Sequence, residues 1–144
     1  MYIQQGLSQF MRLQFPYEIS SSLEFGNIPT ASFWLNVESG RSFIPLFFLF
    51  DTGADVSSLP ASAGPKLGLD LSKCPKIPMS GFEGSTISVF KSKIKIRFNK
   101  KSIIIPCVFN PNDDVPILLG RAGILDRFNI FLDGKKKEIA FEEL

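Results

Sequence analysis

The sequence contains no histidine among its 144 residues. This absence excludes serine–histidine–aspartate and cysteine–histidine catalytic sites, and every zinc site that uses a histidine ligand. A Walker loop and a GxGxxG motif are also absent, so neither common kind of phosphate-binding loop is present. Any hydrolytic chemistry must therefore use carboxylates, a serine–lysine pair or a carboxylate-bound metal ion.

The serine–lysine and metal alternatives have little support. Ser88 and Lys91 match an S-x-x-K pattern, but that motif needs a helix, and on a strand the two side chains point apart. Asp113 and Asp114 resemble a metal-binding pair, yet no third or fourth ligand is spaced nearby. We predict no metal site and no cofactor, which leaves carboxylate chemistry.

Cysteine is also scarce, since Cys74 and Cys107 are far apart and form no CxxC pattern. A disulfide between them stays open, but free thiols in a reducing cytosol are favoured. Residues 1–5 lack the basic and apolar stretches of a signal peptide. The longest apolar run, residues 43–50, is far shorter than the ~20 residues of a membrane span. These features predict a soluble, cytoplasmic protein.

The composition predicts one globular domain with a substantial core, because 44% of the residues are hydrophobic and 15 are phenylalanine. The formal net charge of +2 predicts neither nucleic acid nor membrane as a partner. Basic residues between Lys91 and Lys101 alternate with apolar ones, which is typical of a strand with one solvated face. A nucleic-acid-binding β domain is a weaker alternative, since no aromatic platform accompanies the lysines.

The residue pattern predicts β-structure from Thr30 onward. Phe33, Leu35 and Val37 alternate with polar or outward positions, as in a strand with two distinct faces. Residues 43–50 form a nearly continuous apolar run, which predicts a strand buried on both faces. We treat residues 1–29 as an amino-terminal extension, with a short strand or docking arm around residues 10–15, and residues 30–144 as the domain.

Turns and one helix complete the predicted architecture. Residues 57–71 allow at most a short helical turn, around residues 61–67, because prolines and glycines interrupt them. Residues 79–86 predict a hairpin tip with two glycines. Arg121 to Phe128 is the best helix candidate, because its apolar residues are spaced for one face. A final hairpin around Asp133-Gly134 closes the chain. The fold class is mostly β with one short C-terminal helix.

One carboxylate stands out, because Asp51 ends the apolar run and is followed at once by Thr52 and Gly53. The simplest interpretation is a turn in which aspartate bonds to its own backbone. On its own, Asp-Thr-Gly is a weak signal, since a tripeptide recurs by chance.

Two further segments strengthen the motif. Residues 49–55 (Leu-Phe-Asp-Thr-Gly-Ala-Asp) resemble the active-site loop of retropepsin-like, or retroviral-type, aspartic proteases. Residues 117–121 (Ile-Leu-Leu-Gly-Arg) resemble the hydrophobic-hydrophobic-Gly-Arg segment that follows in that family. A glycine-flanked tip at residues 81–85 lies between them, where the family has its flap. The resemblance covers Thr30 to Phe141 and implies a single-domain closed β-barrel or sandwich with a flap hairpin.

The resemblance implies an aspartic endopeptidase that acts on extended polypeptide. Asp51 would be the catalytic carboxylate, and the sequence contains no second Asp-Thr-Gly or Asp-Ser-Gly. A homodimer is therefore expected, with two copies of Asp51 sharing a proton across a two-fold axis. The alternative is a catalytically silent dimer of this fold that acts as a binding or assembly module.

Roles for the neighbouring residues are implied in the same way. Thr52 would form a hydrogen bond across the dimer axis. Gly53 would permit the tight turn and contact the substrate backbone through its carbonyl. Ala54 lacks the hydroxyl that pepsin-like enzymes carry, which favours less acidic working conditions. The remaining implied residues are a buried brace of Asp55, Gly120 and Arg121, and a substrate-binding flap tip of Gly81, Phe82, Glu83 and Gly84.

Overall fold

The computed structural model describes residues 12–81 and 84–144 of the chain. The predicted mostly β fold class is confirmed, with one short α-helix, α1 (Ala63–Lys66), and one 3₁₀ turn (Leu71–Lys73) in the described residues. The strands are β1 (Arg12–Pro16), β2 (Glu18–Ser22), β3 (Gly26–Thr30), β4 (Ser32–Ser39), β5 (Ser42–Phe50), β6 (Ser57–Pro60), β7 (Lys76–Ser80), β8 (Thr86–Phe98), β9 (Lys101–Asn110), β10 (Leu118–Leu119), β11 (Phe128–Asp133) and β12 (Glu138–Glu143).

The main sheet has seven strands in the order β4-β5-β10-β6-β9-β8-β7, and a further pairing of β4 with β8 closes part of it into a ring. The predicted alternation in β4 is confirmed, since Phe33, Leu35 and Val37 are buried while Trp34 is exposed. Strand β8 alternates in the same way, with Ile94, Ile96 and Phe98 in the core. The inward faces of these strands therefore form one apolar core.

Phe141 lies at the centre of an aromatic cluster in this core. Its ring centroid is 5.5 Å from those of Phe33 and Phe98, 5.8 Å from that of Phe50 and 6.0 Å from that of Phe128. The contacts with Phe33, Phe50 and Phe128 are edge-to-face, a geometry that adds to the stabilisation from burial. Because Phe50 belongs to the cluster, the end of β5 that leads into the Asp51 loop is anchored in the core.

The two ends of the described chain share a three-stranded sheet, in the order β1-β12-β11. Leu13 and Phe15 of β1 lie opposite Phe141 and Ile139 of β12, and Phe15 stacks on Phe33 at 4.4 Å. A short strand is thus present at residues 12–16, and residues 1–11 lie outside the described residues. The predicted C-terminal hairpin is confirmed as β11 and β12.

Strands β2 and β3 form a separate two-stranded antiparallel sheet that the sequence pattern did not predict. The Ser22 hydroxyl accepts bonds from the N–H groups of Glu24 and Phe25, at 3.2 Å each, and Gly26 completes the turn with φ of 73°. The serine-rich sequence has no apolar alternation, so its tendency to form a hairpin was hidden.

Strand β5 does not have the burial on both faces that its apolar run predicts. Phe48 is fully buried, but Pro45 is exposed and Phe47 is 38% exposed. Phe47 instead packs on Trp34 of the neighbouring strand, with ring centroids 5.1 Å apart. The prediction was wrong because this pair places aromatic side chains on the outer face, where cross-strand contacts stabilise the sheet.

The helix predicted over Arg121 to Phe128 is also wrong, since the segment forms consecutive turns. The N–H groups of Leu125 and Phe128 donate to the carbonyls of Arg121 and Ile124, at 3.0 Å each. Gly123 has φ of 80°, which interrupts a right-handed helix. Ile124 and Phe128 are nevertheless buried. The apolar spacing identified the inward side chains but not the backbone that carries them.

Helix α1 lies within the residues predicted to form a short helical turn. Strand β6 precedes it and was not predicted, because it is only four residues long and ends in proline. None of the described helical segments has the length and apolar character that crossing a membrane requires.

Candidate active site

Two parallel strands position Asp51. Strand β10 runs beside the end of β5, with Leu118 opposite Leu49 and Leu119 opposite Phe50. The Asp51 N–H donates to the Leu119 carbonyl at 3.0 Å, which carries the pairing one residue beyond the strand. Residue 51 therefore leaves the sheet at a point fixed by both strands.

The loop after Asp51 folds back on its carboxylate. The Gly53 N–H donates to Asp51 Oδ1 at 2.8 Å, and the Ala54 N–H donates to the Asp51 carbonyl at 3.2 Å. A Cβ on Gly53 would lie 3.1 Å from the same Oδ1, so a larger residue would crowd the carboxylate. Asp51 is partly buried, whereas Thr52 and Gly53 are exposed. The carboxylate is held by the backbone and remains accessible.

Gly120 packs against the strand that follows the loop. A Cβ at this position would lie 2.4 Å from the Val56 carbonyl carbon and 2.8 Å from the Ser57 nitrogen, which leaves no room for a side chain. The Gly120 N–H donates to the Ser57 hydroxyl at 3.0 Å, and Ser57 is fully buried. Sequence reasoning missed Ser57, whose only signal is a hydroxyl at the start of a strand just after the loop.

Arg121 connects the loop to β10. Its guanidinium forms an ion pair with Asp55 and donates from Nη1 to the Thr52 carbonyl at 3.1 Å. The backbone reinforces this contact, because the Arg121 N–H donates to the Ala54 carbonyl at 3.0 Å. The predicted pairing of Asp55 with Arg121 is therefore present. Its predicted burial is absent from the single chain, where the Asp55 side chain is 83% exposed.

The hairpin expected to form the flap is built by β7 and β8, with Ser80 opposite Thr86. The Gly81 N–H donates to the Ser85 carbonyl at 2.7 Å, and Gly84 has φ of 78°. Both glycines thus lie in the turn where they were predicted. Phe82 and Glu83 lie outside the described residues.

An open groove of about 560 Å³ separates the Asp51 loop from β7. The residues that define it include Asp51, Gly53, Val56, Met79, Ser80 and Leu118. Val56, Met79 and Leu118 give it apolar walls beside the carboxylates of Asp51 and Asp55. Apolar walls with a few polar groups are typical of sites that bind organic ligands. Sequence reasoning had not assigned these three residues to the site, because nothing in their pattern distinguishes them from core positions.

No cluster of three or more carboxylate or thiol side chains that could hold a metal ion occurs in residues 12–81 and 84–144. The two cysteines are free thiols, as expected, with Cys107 buried. Burial raises the pKa of the Cys107 thiol from 9.0 to about 12, with a further contribution from Cys74.

Known proteins resemble the chain in structure, whereas no family model and no curated protein matches its sequence. The chain is similar to the crystal structure of a retropepsin-like aspartic protease from Rickettsia conorii, with a TM-score of 0.62, 18% identity and 93% of each chain covered. It also matches EIAV protease complexed with the inhibitor HBY-793, with a TM-score of 0.46, 21% identity, and 71% of this chain and 88% of that chain covered. The match to the Rickettsia conorii structure shows that the chain has a retropepsin-like fold.

Proposed function

We propose that the protein is an aspartic endopeptidase, active as a homodimer in which each copy contributes Asp51. The observation that carries the proposal is the accessible carboxylate of Asp51 at the wall of an open groove. The backbone of this residue is hydrogen-bonded to the neighbouring strand β10. A carboxylate that the backbone holds in one orientation beside a groove is typical of acid–base catalysis.

The chemistry needs two such groups. Two carboxylates ~3 Å apart cannot both be ionised, so they share one proton, as in other aspartic proteases. The ionised carboxylate of the Asp51 pair removes a proton from a water molecule, whose oxygen attacks the scissile carbonyl carbon. The protonated carboxyl gives its proton to the carbonyl oxygen. Collapse of the tetrahedral diol breaks the C–N bond, and the leaving nitrogen takes up a proton from the pair.

A second copy of the chain supplies the second carboxylate. Thr52 and Gly53 are exposed next to Asp51, so the loop surface is open to a symmetric partner. In a two-fold contact each residue near the axis meets its own copy, which would bring the two loops together. The exposed ion pair of Asp55 with Arg121 lies in the same loop, and a partner would remove it from solvent.

Extended polypeptide is the proposed substrate. Strand β7 ends the seven-stranded sheet and forms one wall of the groove opposite Asp51. An edge strand can pair with an extended peptide through main-chain bonds, and the apolar walls can accept its side chains. Closure of the hairpin of β7 and β8 over the bound peptide would exclude water from the reaction.

A catalytically silent binding or assembly module is the second candidate. The hairpin of β2 and β3 favours it, because its exposed apolar side chains could bind protein without using Asp51. Nothing in that surface requires a reactive carboxylate.

Digestion of a peptide library at several pH values distinguishes the two candidates. The proposal predicts cleavage that a statine-type transition-state mimic abolishes, with products identified by mass spectrometry. Such inhibited cleavage would dispose of the binding-module candidate. Intact peptides at every pH, from protein that sediments as a dimer, would favour that module instead.

A further inference from the structure

We propose that the hairpin of β2 and β3 is a dimerisation arm, whose apolar surface packs on a second copy of this chain. This inference rests on the proposed function in one respect: paired Asp51 loops require the second copy. It adds the surface that joins the two copies. The arm surface consists of Ile19, Leu23, Phe25, Ile28, Trp34 and Phe47.

The side chains of the arm surface are unusually exposed for their size. Leu23 is 108% exposed, Phe25 77% and Ile19 60%, relative to the reference value for each residue type. Half of the large hydrophobic side chains that are exposed in the described residues belong to this surface. Contiguous apolar patches on a folded chain mark interaction sites more often than isolated exposed residues do.

The hairpin pairs with neither of the two larger sheets. It forms a sheet of its own, and a two-stranded hairpin alone in water is marginally stable. Its register puts Ile19 and Pro29 on one face and Ile28 on the opposite face, while Leu23 and Phe25 lie in the turn. Because apolar side chains lie on both faces and at the tip, all of them would be buried if the hairpin were inserted between two protein surfaces.

The arm begins directly beside the proposed catalytic loop. The Ala31 carbonyl, just after β3, accepts a bond from the N–H of Phe50 at 2.9 Å, and Asp51 is the next residue. A groove of about 490 Å³ between the arm and β5 is lined by Ile19, Phe47 and other residues of these elements, together with Ser32, Pro116 and Ile117. The arm surface is thus continuous with the strand that delivers Asp51.

This location favours a second copy over any other occupant. Each strand of the arm has five residues and therefore spans ~16 Å. The two Asp51 carboxylates must approach to ~3 Å to share a proton, so the base of each arm lies close to the partner in the active dimer. An arm of this length is long enough to reach from its base onto the partner's surface.

The carboxy-terminal strand has no free edge to offer a partner. Strand β12 lies between β1 and β11 of the same chain, so both of its edges are already paired. The carboxy-terminal strand therefore cannot add to a sheet of the partner without breaking these pairings. In the arm, by contrast, Ile19, Leu23 and Phe25 are each at least 60% exposed.

Sedimentation velocity over a range of protein concentrations tests the inference. The variant L23S/F25S is compared with wild type and with the control I104S/L132S, whose residues are 52% and 60% exposed away from the arm. We expect L23S/F25S to raise the dimer dissociation constant on the order of 10- to 100-fold, and the control to leave it unchanged. Because Leu23 and Phe25 are exposed, the thermal unfolding midpoint should stay close to that of wild type, which shows that the variant is folded.

A photoreactive phenylalanine analogue at position 25 provides a direct readout. Irradiation of the purified protein should link one copy to another, and the link should disappear in the monomeric fractions. An L23S/F25S variant that dimerises as wild type does would overturn the inference. Wild type that stays monomeric, yet binds vesicles of equal parts phosphatidylcholine and phosphatidylserine through the arm, would overturn it in favour of a membrane.

Peptide cleavage separates this inference from the proposed function. If wild type cleaves peptides and L23S/F25S dimerises normally, the dimerisation-arm proposal is wrong and the protease proposal stands. If wild type dimerises through the arm but cleaves no peptide at any pH, the protease proposal is wrong and the dimerisation-arm proposal stands. If both hold, L23S/F25S loses activity at low protein concentration and recovers it as the concentration rises.

Discussion

Gly120 lies against the backbone of Val56 so closely that a Cβ would be 2.4 Å from the Val56 carbonyl carbon and 2.6 Å from its oxygen. Backbone atoms cannot turn away as a flexible side chain can. Gly120→Ala should therefore destabilise the fold by roughly 2–3 kcal/mol, as overpacked core positions do. Urea denaturation of purified protein measures this change.

Gly134 supplies the matched control for that substitution. A Cβ there would meet nothing within 4 Å, and its φ is not in the left-handed region. Gly134→Ala should leave the free energy of unfolding unchanged or raise it slightly, because alanine restricts the unfolded chain. Equal destabilisation by both substitutions would contradict the contact between Gly120 and Val56.

Arg121 is expected to contribute more to activity than to stability. Its ion pair with Asp55 is exposed in the single chain, so its loss should cost less than about 1 kcal/mol in the unfolding free energy of the monomer. Arg121→Lys keeps the charge but cannot hold Asp55 and the Thr52 carbonyl together with planar geometry. We expect kcat/KM to fall about tenfold as the loop loosens. Arg127→Lys, outside the loop, should leave kcat/KM at the wild-type value.

The Asp51 loop and the alternating strands could be predicted from sequence, because each depends on residue types in a fixed local order. Strand β4 shows a period of two, and the loop needs Asp, Thr and Gly in succession. The hairpin of β2 and β3 could not be predicted, because serine side chains can hydrogen-bond to the backbone in many different conformations. The turns at residues 121–128 depend on a positive φ at Gly123, which a helical apolar spacing does not reveal.

The groove was the other part of the site that local patterns could not give. Val56, Met79 and Leu118 come from three separate segments and meet only after the sheet has formed. The exposure of Asp55 likewise depends on what covers the loop, and a single chain does not determine that. Local chemistry was therefore predictable, while long-range packing was not.

Cys107 should be unreactive in the folded protein. Desolvation raises the pKa of its thiol to about 12, and the thiolate is the form that alkylating reagents attack. Iodoacetamide at mildly alkaline pH should therefore label Cys74 and spare Cys107 until the chain unfolds. Because the thiol ionises at 9.0 when exposed, the stability it contributes is present below pH 9.0 and is lost as pH rises toward 12. Rapid labelling of Cys107 in a Cys74→Ser variant at neutral pH would contradict its burial.

Asp51→Asn tests the central claim most directly. Asparagine keeps an oxygen that can accept the Gly53 N–H bond, so the loop geometry should survive while the shared proton is lost. Sedimentation and peptide digestion are run on the same preparation of the variant and of wild type. We expect an unchanged dimer and a loss of cleavage of about 1,000-fold or more, the scale of removing acid–base catalysis. Full cleavage by the folded variant would contradict the account, because the paired carboxylates would then have no part in the reaction.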